Sequence, residues 1–322
     1  MTISSFFPTP HCLHLISFFY PGKGLYRYPE GDVYEGDFVK GKMDGQGVYT
    51  YRNGNIYTGS FRDGQQEGTG VIEYSGGSVY KGAFRAGLMH GKGVYKYSNG
   101  DVYEGQYSED MIQGYGKYTF SSGDIYVGDF VNEQKHGEGE YTYITGEVYR
   151  GSYVQGKRHG RGTYDYNNGA KYVGEYVDDQ QSGYGVYTYE NGEVYSGQYA
   201  NGKRHGQGVF KYASGAVYEG DWVAGMQSGR SLLFSSITYY VVSCSIVMPS
   251  SHYYITCAMN AYVAFVLLCS TLLRYLFHAG KGIYKYVNGS SFEGEFLEDL
   301  KHGYGVYKYF TGETYEGKND RL

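Results

Sequence analysis

The sequence predicts an all-β fold, an elongated single-layer antiparallel meander of β-hairpins interrupted by one hydrophobic insert. Three observations predict it. The motif Tyr34-Glu35-Gly36-Asp37-Phe38 restarts at Tyr57, Tyr80, Tyr103, Tyr126, Tyr149, Tyr172, Tyr195 and Tyr218, a 23-residue period without gain or loss. Aromatic and β-branched residues alternate at period two in both halves of each repeat, and no stretch of the array carries a helical period. With 52 Gly and 43 Tyr against one Trp, the apolar surface has to come from rings over bare backbone, not from an aliphatic interior.

Residues 1–21 are foreign to this pattern. They hold Phe6-Phe7 and an apolar run from Leu15 to Tyr20 but no Lys or Arg, so the basic start of a secretory signal is missing. This leader reads as a mis-annotated or intron-derived stretch. At Gly22-Lys23-Gly24-Leu25-Tyr26 the chain enters a repeat halfway through, and the array runs over residues 22–229.

Each repeat opens on a strand. Its third place is always glycine, from Gly36 and Gly59 to Gly220, and its first and fifth places are aromatic. They form the pairs Tyr34 and Phe38, Tyr57 and Phe61, Tyr80 and Phe84, Tyr103 and Tyr107, Tyr126 and Phe130, Tyr149 and Tyr153, Tyr172 and Tyr176, Tyr195 and Tyr199, Tyr218 and Trp222. Alternate residues of a strand share a face, so these eighteen side chains form one aromatic ladder broken by glycine slots. A second strand follows, as in Gly47-Val48-Tyr49-Thr50-Tyr51. Asn53-Gly54 and its copies supply the positive φ values of a tight two-residue hairpin turn. The other connection, Gly41 to Gly45, reads as a longer polar loop. At two strands per repeat, ten repeats would extend about 95 Å.

In the ninth repeat Ser231 stands where a glycine is due, and Leu232-Leu233-Phe234 opens an apolar stretch without charge until Arg274. Two readings of residues 230–280 stay open. Leu232–Met248 and Ile255–Leu273 are about long enough to cross a bilayer as a helical hairpin around Pro249. Alternatively the segment is a retained intron, since its deletion joins Gly229 to Lys281 and restores the ninth repeat. The second reading is preferred, because a hairpin anchor would have to leave and re-enter between paired strands. Repeats continue over residues 281–317, and 318–322 form a tail.

The pattern Tyr-x-Gly-x-Phe-x-x-Gly-x-x-x-Gly-x-Gly, intact over Tyr34–Gly47 and Tyr195–Gly208, resembles the MORN repeat (membrane occupation and recognition nexus). Asp110, Glu133 and Asp179 depart from it at the eighth place. The resemblance implies a β-hairpin array that often self-associates. It also implies roles as a cytoskeletal or flagellar scaffold, a junctional membrane tether or a repeat that binds phospholipid.

The formal net charge of −5 argues against nucleic acid as a partner, which would demand a basic face. Cys12, Cys244, Cys257 and Cys269 all fall outside the repeats, which suits a reducing cytoplasm and leaves no cysteine metal site in the array. His90, His136, His159, His205 and His302 recur at the eleventh place, about 10 Å apart or more, too far to share a metal. Gly206-Gln207-Gly208 leads into a strand and not a helix, so it makes no phosphate cradle. Lys157, Arg158, His159, Lys203, Arg204 and His205 form two basic loops able to meet a lipid headgroup or a protein partner. Acidic residues such as Asp178-Asp179 lie between them, however, so that edge carries mixed charge. No nucleophile, base and orienter recur together. The expectation is a non-enzymatic cytoplasmic scaffold without cofactor or metal, joined to itself and to cytoskeletal or membrane-associated proteins, with anionic phospholipid binding as the alternative.

Overall fold

The computed structural model describes residues 22–227 and 280–319. The leader, residues 1–21, the segment 228–279 that holds the candidate intron or membrane hairpin, and residues 320–322 lie outside the described residues. Every regular element among the described residues is a strand. Two compact halves divide at Asn167 and Asn168.

In the first half a short β1 (Gly22–Arg27) is followed by seven-residue strands alternating with nine-residue ones. The seven-residue strands are β2 (Val33–Val39), β4 (Ile56–Arg62), β6 (Val79–Arg85), β8 (Val102–Ser108), β10 (Ile125–Val131) and β12 (Val148–Val154). The nine-residue strands are β3 (Lys42–Thr50), β5 (Gln65–Glu73), β7 (Leu88–Lys96), β9 (Met111–Thr119), β11 (Gln134–Thr142) and β13 (Lys157–Asp165). Consecutive strands pair antiparallel, and tyrosine faces tyrosine and glycine faces glycine, as in Tyr103↔Tyr118 and Gly105↔Gly116. Two extra residues on each nine-residue strand are absorbed by a bulge after the paired glycine. Its residue is a glycine at positive φ, such as Gly91 (+70°) or Gly114 (+86°).

The two kinds of turn exchange the roles that the sequence suggests. Lys40-Gly41, expected at the start of a loop, is itself the two-residue turn between β2 and β3, with φ of +50° and +78°. Arg52-Asn53-Gly54 is a three-residue loop in which Gly54 N–H donates to Tyr51 O and Tyr51 N–H to Asn55 O. There only Gly54 takes positive φ (+87°), while the Asn53 carboxamide accepts from the Asn55 N–H. Asp110 replaces glycine at a left-handed position (φ +67°) because its carboxylate accepts the Met89 N–H at 2.8 Å.

The core is the ring ladder. Tyr34 lies edge-on to Phe38 of its own strand (5.1 Å, 90°) and to Phe61 of the next repeat (5.0 Å, 78°), and the pattern repeats along the half. All eighteen ladder residues are interior: Phe38, the most open, is 7 % exposed.

The second half contains β14 (Lys171–Val177), β15 (Gln180–Thr188), β16 (Val194–Ala200), β17 (Lys203–Lys211), β18 (Val217–Val223), β19 (Met226–Gln227), β20 (Gly280–Lys285), β21 (Ser291–Leu297), β22 (Leu300–Lys308) and β23 (Thr314–Asn319). Strand β18 pairs first with β19, as Val223↔Met226, and then with β20, as Gly220↔Gly282 and Val217↔Lys285. Together β19 and β20 fill the place of one nine-residue strand. Gly280 belongs to it, paired with Phe296 as Gly206 is paired with Trp222.

Candidate functional site

Because the ladder rings are interior, they hold the sheet together and offer no association surface. Burial follows from the glycine pairs: a Cβ at Gly105 or Gly116 would overlap the Tyr103 ring, whose hydroxyl donates to the Gln106 carbonyl at 3.2 Å. Burial pushes the Tyr34, Tyr80 and Tyr103 hydroxyls up to about 12, with the Asp37 charge adding at Tyr34 and the Asp110 charge at Tyr80. A second set of half-buried tyrosines is tied to turn carboxylates. Tyr49 donates to Asp32 and Tyr118 to Asp101, both at 2.8 Å. The Arg52 and Ser121 backbone N–H groups, joined by those hydroxyls, hold the two carboxyls below the usual aspartate range.

The six basic candidates do not sit in loops. Lys157, Arg158 and His159 open β13, and Lys203, Arg204 and His205 open β17. The two-residue turn before each strand brings the chain back into pairing sooner than the sequence suggests. Arg158 lies over the Tyr149 and Tyr164 rings at 5.6 and 5.7 Å. Arg204 lies 4.2 Å from the Trp222 ring centroid and donates to the Gly225 carbonyl. Lys135 and Lys301, in the same place of other repeats, cap rings likewise. These cations face the aromatic side. Lys157 and Lys203 are exposed, and His159 and His205 are half-buried. At the eleventh place Asp44, Glu67 and Gln113 accept a backbone N–H from the next repeat's turn, which identifies that column as turn-bonding. Among the described residues no three His, Cys, Asp or Glu side chains come together as a metal site.

The surface that sequence reasoning missed is on the opposite face. Between β3 and β9 an open groove of about 1180 Å³ runs across the strands. Its floor is the glycine backbone, Gly59 with Gly70, Gly82 with Gly93 and Gly105 with Gly116. One wall is Thr58, Val71, Lys81, Val94, Glu104 and Lys117, and the other includes Gln46, Thr69, Ala83, Lys92, Gln106 and Tyr115. Three ammonium groups thus meet one carboxylate, Glu104, which stands opposite Lys117. Tyr115 is 58 % exposed. The signal was in the sequence: these are the alternate residues of each strand, whose identities vary while the ring face stays constant.

A regular hairpin array with an interior ring ladder and an open face defines a repeat protein of the binding kind. Residues 34–56, 57–79, 80–102, 103–125, 126–148, 149–171, 172–194, 195–217, 218–230, 278–291 and 292–314 each match the MORN repeat, and the chain belongs to that family. No curated protein matches it. Among solved structures it is similar to the TCP10 domain of Danio rerio CPAP in complex with a STIL peptide (13 % identity, 63 % of this chain, 91 % of that one, TM-score 0.39). It is also similar to the Drosophila melanogaster SAS-4 TCP domain in complex with a proline-rich motif of Ana2 (15 %, 54 % and 99 %, TM-score 0.32). A third is virginiamycin B lyase from Staphylococcus aureus (12 %, 94 % and 71 %, TM-score 0.14). At these scores none of them bears on function.

Proposed function

We propose that this chain is a non-enzymatic scaffold that gathers protein partners, a second copy of itself among them, and that the groove between β3 and β9 is where a partner docks. MORN repeats in general bind proteins or membranes. The observation that carries the reading toward protein is the groove: concave, walled by small apolar and donor side chains, and continuous over seven strands. A cytoplasmic location is part of the proposal, since repeats free of cysteine suit a reducing compartment, and cytoskeletal or flagellar attachment is proposed with it.

Proximity labelling in cells, with the full chain and its Lys81→Glu/Lys92→Glu/Lys117→Glu variant, tests this. The set of labelled neighbours should shrink in the variant, and an unchanged set defeats the groove reading. The lipid alternative is separated by flotation with phosphatidylserine vesicles. Capture that survives the groove variant but fails after Lys157→Glu/Lys203→Glu would favour a membrane tether.

A further inference from the structure

Resting on the groove being a protein-docking site, we infer that its occupant is a proline-rich segment carrying acidic residues, bound in the polyproline II form across the strands. The first argument is pitch. Two strand spacings per repeat give about 9.6 Å, and one polyproline II turn of three residues advances about 9.3 Å. A polyproline II chain lying along the glycine floor therefore presents every third residue to the same place of successive repeats. An α-helix, at about 5.4 Å per turn, drifts out of step within one repeat.

The second argument is the sense of the hydrogen-bonding groups. Lys81, Lys92 and Lys117 present three exposed ammonium groups, with the Thr58 and Thr69 hydroxyls on the two strands before them and Glu104 as the one carboxylate. The charged groups of these walls are thus three donors against one acceptor. A polyproline II strand has the complementary character, since its carbonyls make no internal hydrogen bonds and its prolines bring no N–H to satisfy. The three lysines lie on β6, β7 and β9, within about 14 Å, which such a chain crosses in about five residues. That span admits one or two acidic side chains. Val71, Val94 and Tyr115 supply flat apolar rests for pyrrolidine rings. The occupied length, from Gln46 on β3 to Lys117 on β9, is about 29 Å, or about nine residues.

The test is fluorescence anisotropy of the full chain with three labelled peptides. One repeats Pro-Pro-Glu, one repeats Gly-Gly-Glu, and one is an acidic alanine-rich helix of matched charge. The Pro-Pro-Glu peptide should bind saturably and at least about tenfold more tightly than the other two. Its affinity should fall about tenfold or more in Lys81→Glu/Lys92→Glu/Lys117→Glu, whose exposed positions leave the fold intact by circular dichroism. Preference for the helical peptide, or equal binding of the glycine peptide, with sensitivity to those lysines, overturns the proline-rich occupant and leaves the groove as a docking site. Binding of all three peptides that is indifferent to the lysine changes, or no binding, overturns the occupant and the groove together.

Discussion

Tyr103 lies on Gly116: the ring of one strand rests on the bare backbone of the next, where a Cβ would overlap its hydroxyl. The same overlap recurs between Tyr57 and Gly70, Tyr80 and Gly93, and Tyr126 and Gly139. It explains how one layer of sheet buries its rings fully. The ring needs no opposing layer because it is covered by its own strand's fifth-place ring and by that of the next repeat.

Gly116→Ala should therefore cost about 2–3 kcal/mol, since neither ring nor ladder can give way without unpairing. Gly156→Ala, at a turn with positive φ (+83°) and open space around it, should cost only about 1 kcal/mol. Denaturant midpoints measure both. Equal losses would show that the slots do not set the packing.

Alkaline pH should unfold the chain. The buried tyrosines are held neutral up to about 12, while in the unfolded chain they ionise near about 10. Below that unfolded value their contribution is fully present. Above it the unfolded state loses protons that the folded state keeps, so stability falls as pH rises from about 10 toward about 12. Tyrosinate absorbance should rise together with loss of the β signal in circular dichroism. Full ionisation with the sheet intact would contradict the burial.

Arg204 capping Trp222 makes a local reporter, since Trp222 is the one tryptophan. Arg204→Met keeps the stem and removes the charge and the bond to the Gly225 carbonyl. A loss of about 1–2 kcal/mol with a shifted tryptophan emission is expected. An unchanged emission maximum would place the guanidinium away from the ring.

The repeat, its two strands and the rings lying over glycine were legible because period-two alternation and an unbroken spacing fix which residues share a face. The turns were not. Asn53-Gly54 carries the strongest two-residue hairpin signature, yet the left-handed pair is Lys40-Gly41, since only that loop length matches the register of Val39↔Lys42. The bulge glycines, Gly91 and Gly114 among them, let β7 and β9 run through stretches that read as polar loop. That shift carried Arg158 and Arg204 from imagined loops onto the ring face. The groove was hidden for a different reason: Lys81, Lys92 and Lys117 are scattered in sequence and converge only once alternate residues of adjacent strands are stacked.

A chain lacking residues 229–279 should fold as the full chain does. Both pieces of the broken strand already occupy their places on β18: Met226 opposite Val223 as Lys203 is opposite Ala200, and Lys285 opposite Val217 as Lys211 is opposite Val194. Gly280 takes the bulge-side position that Gly206 holds in the preceding repeat. Joining Ser228 to Gly280 closes the gap with one residue, in the place His205 fills on β17. The denaturant midpoint of the shortened chain should be no lower than that of the full chain, with the emission of Trp222, which pairs with Gln227, unchanged. A lower midpoint or a shifted emission would mean that the removed segment helps to hold β18 and its neighbours together.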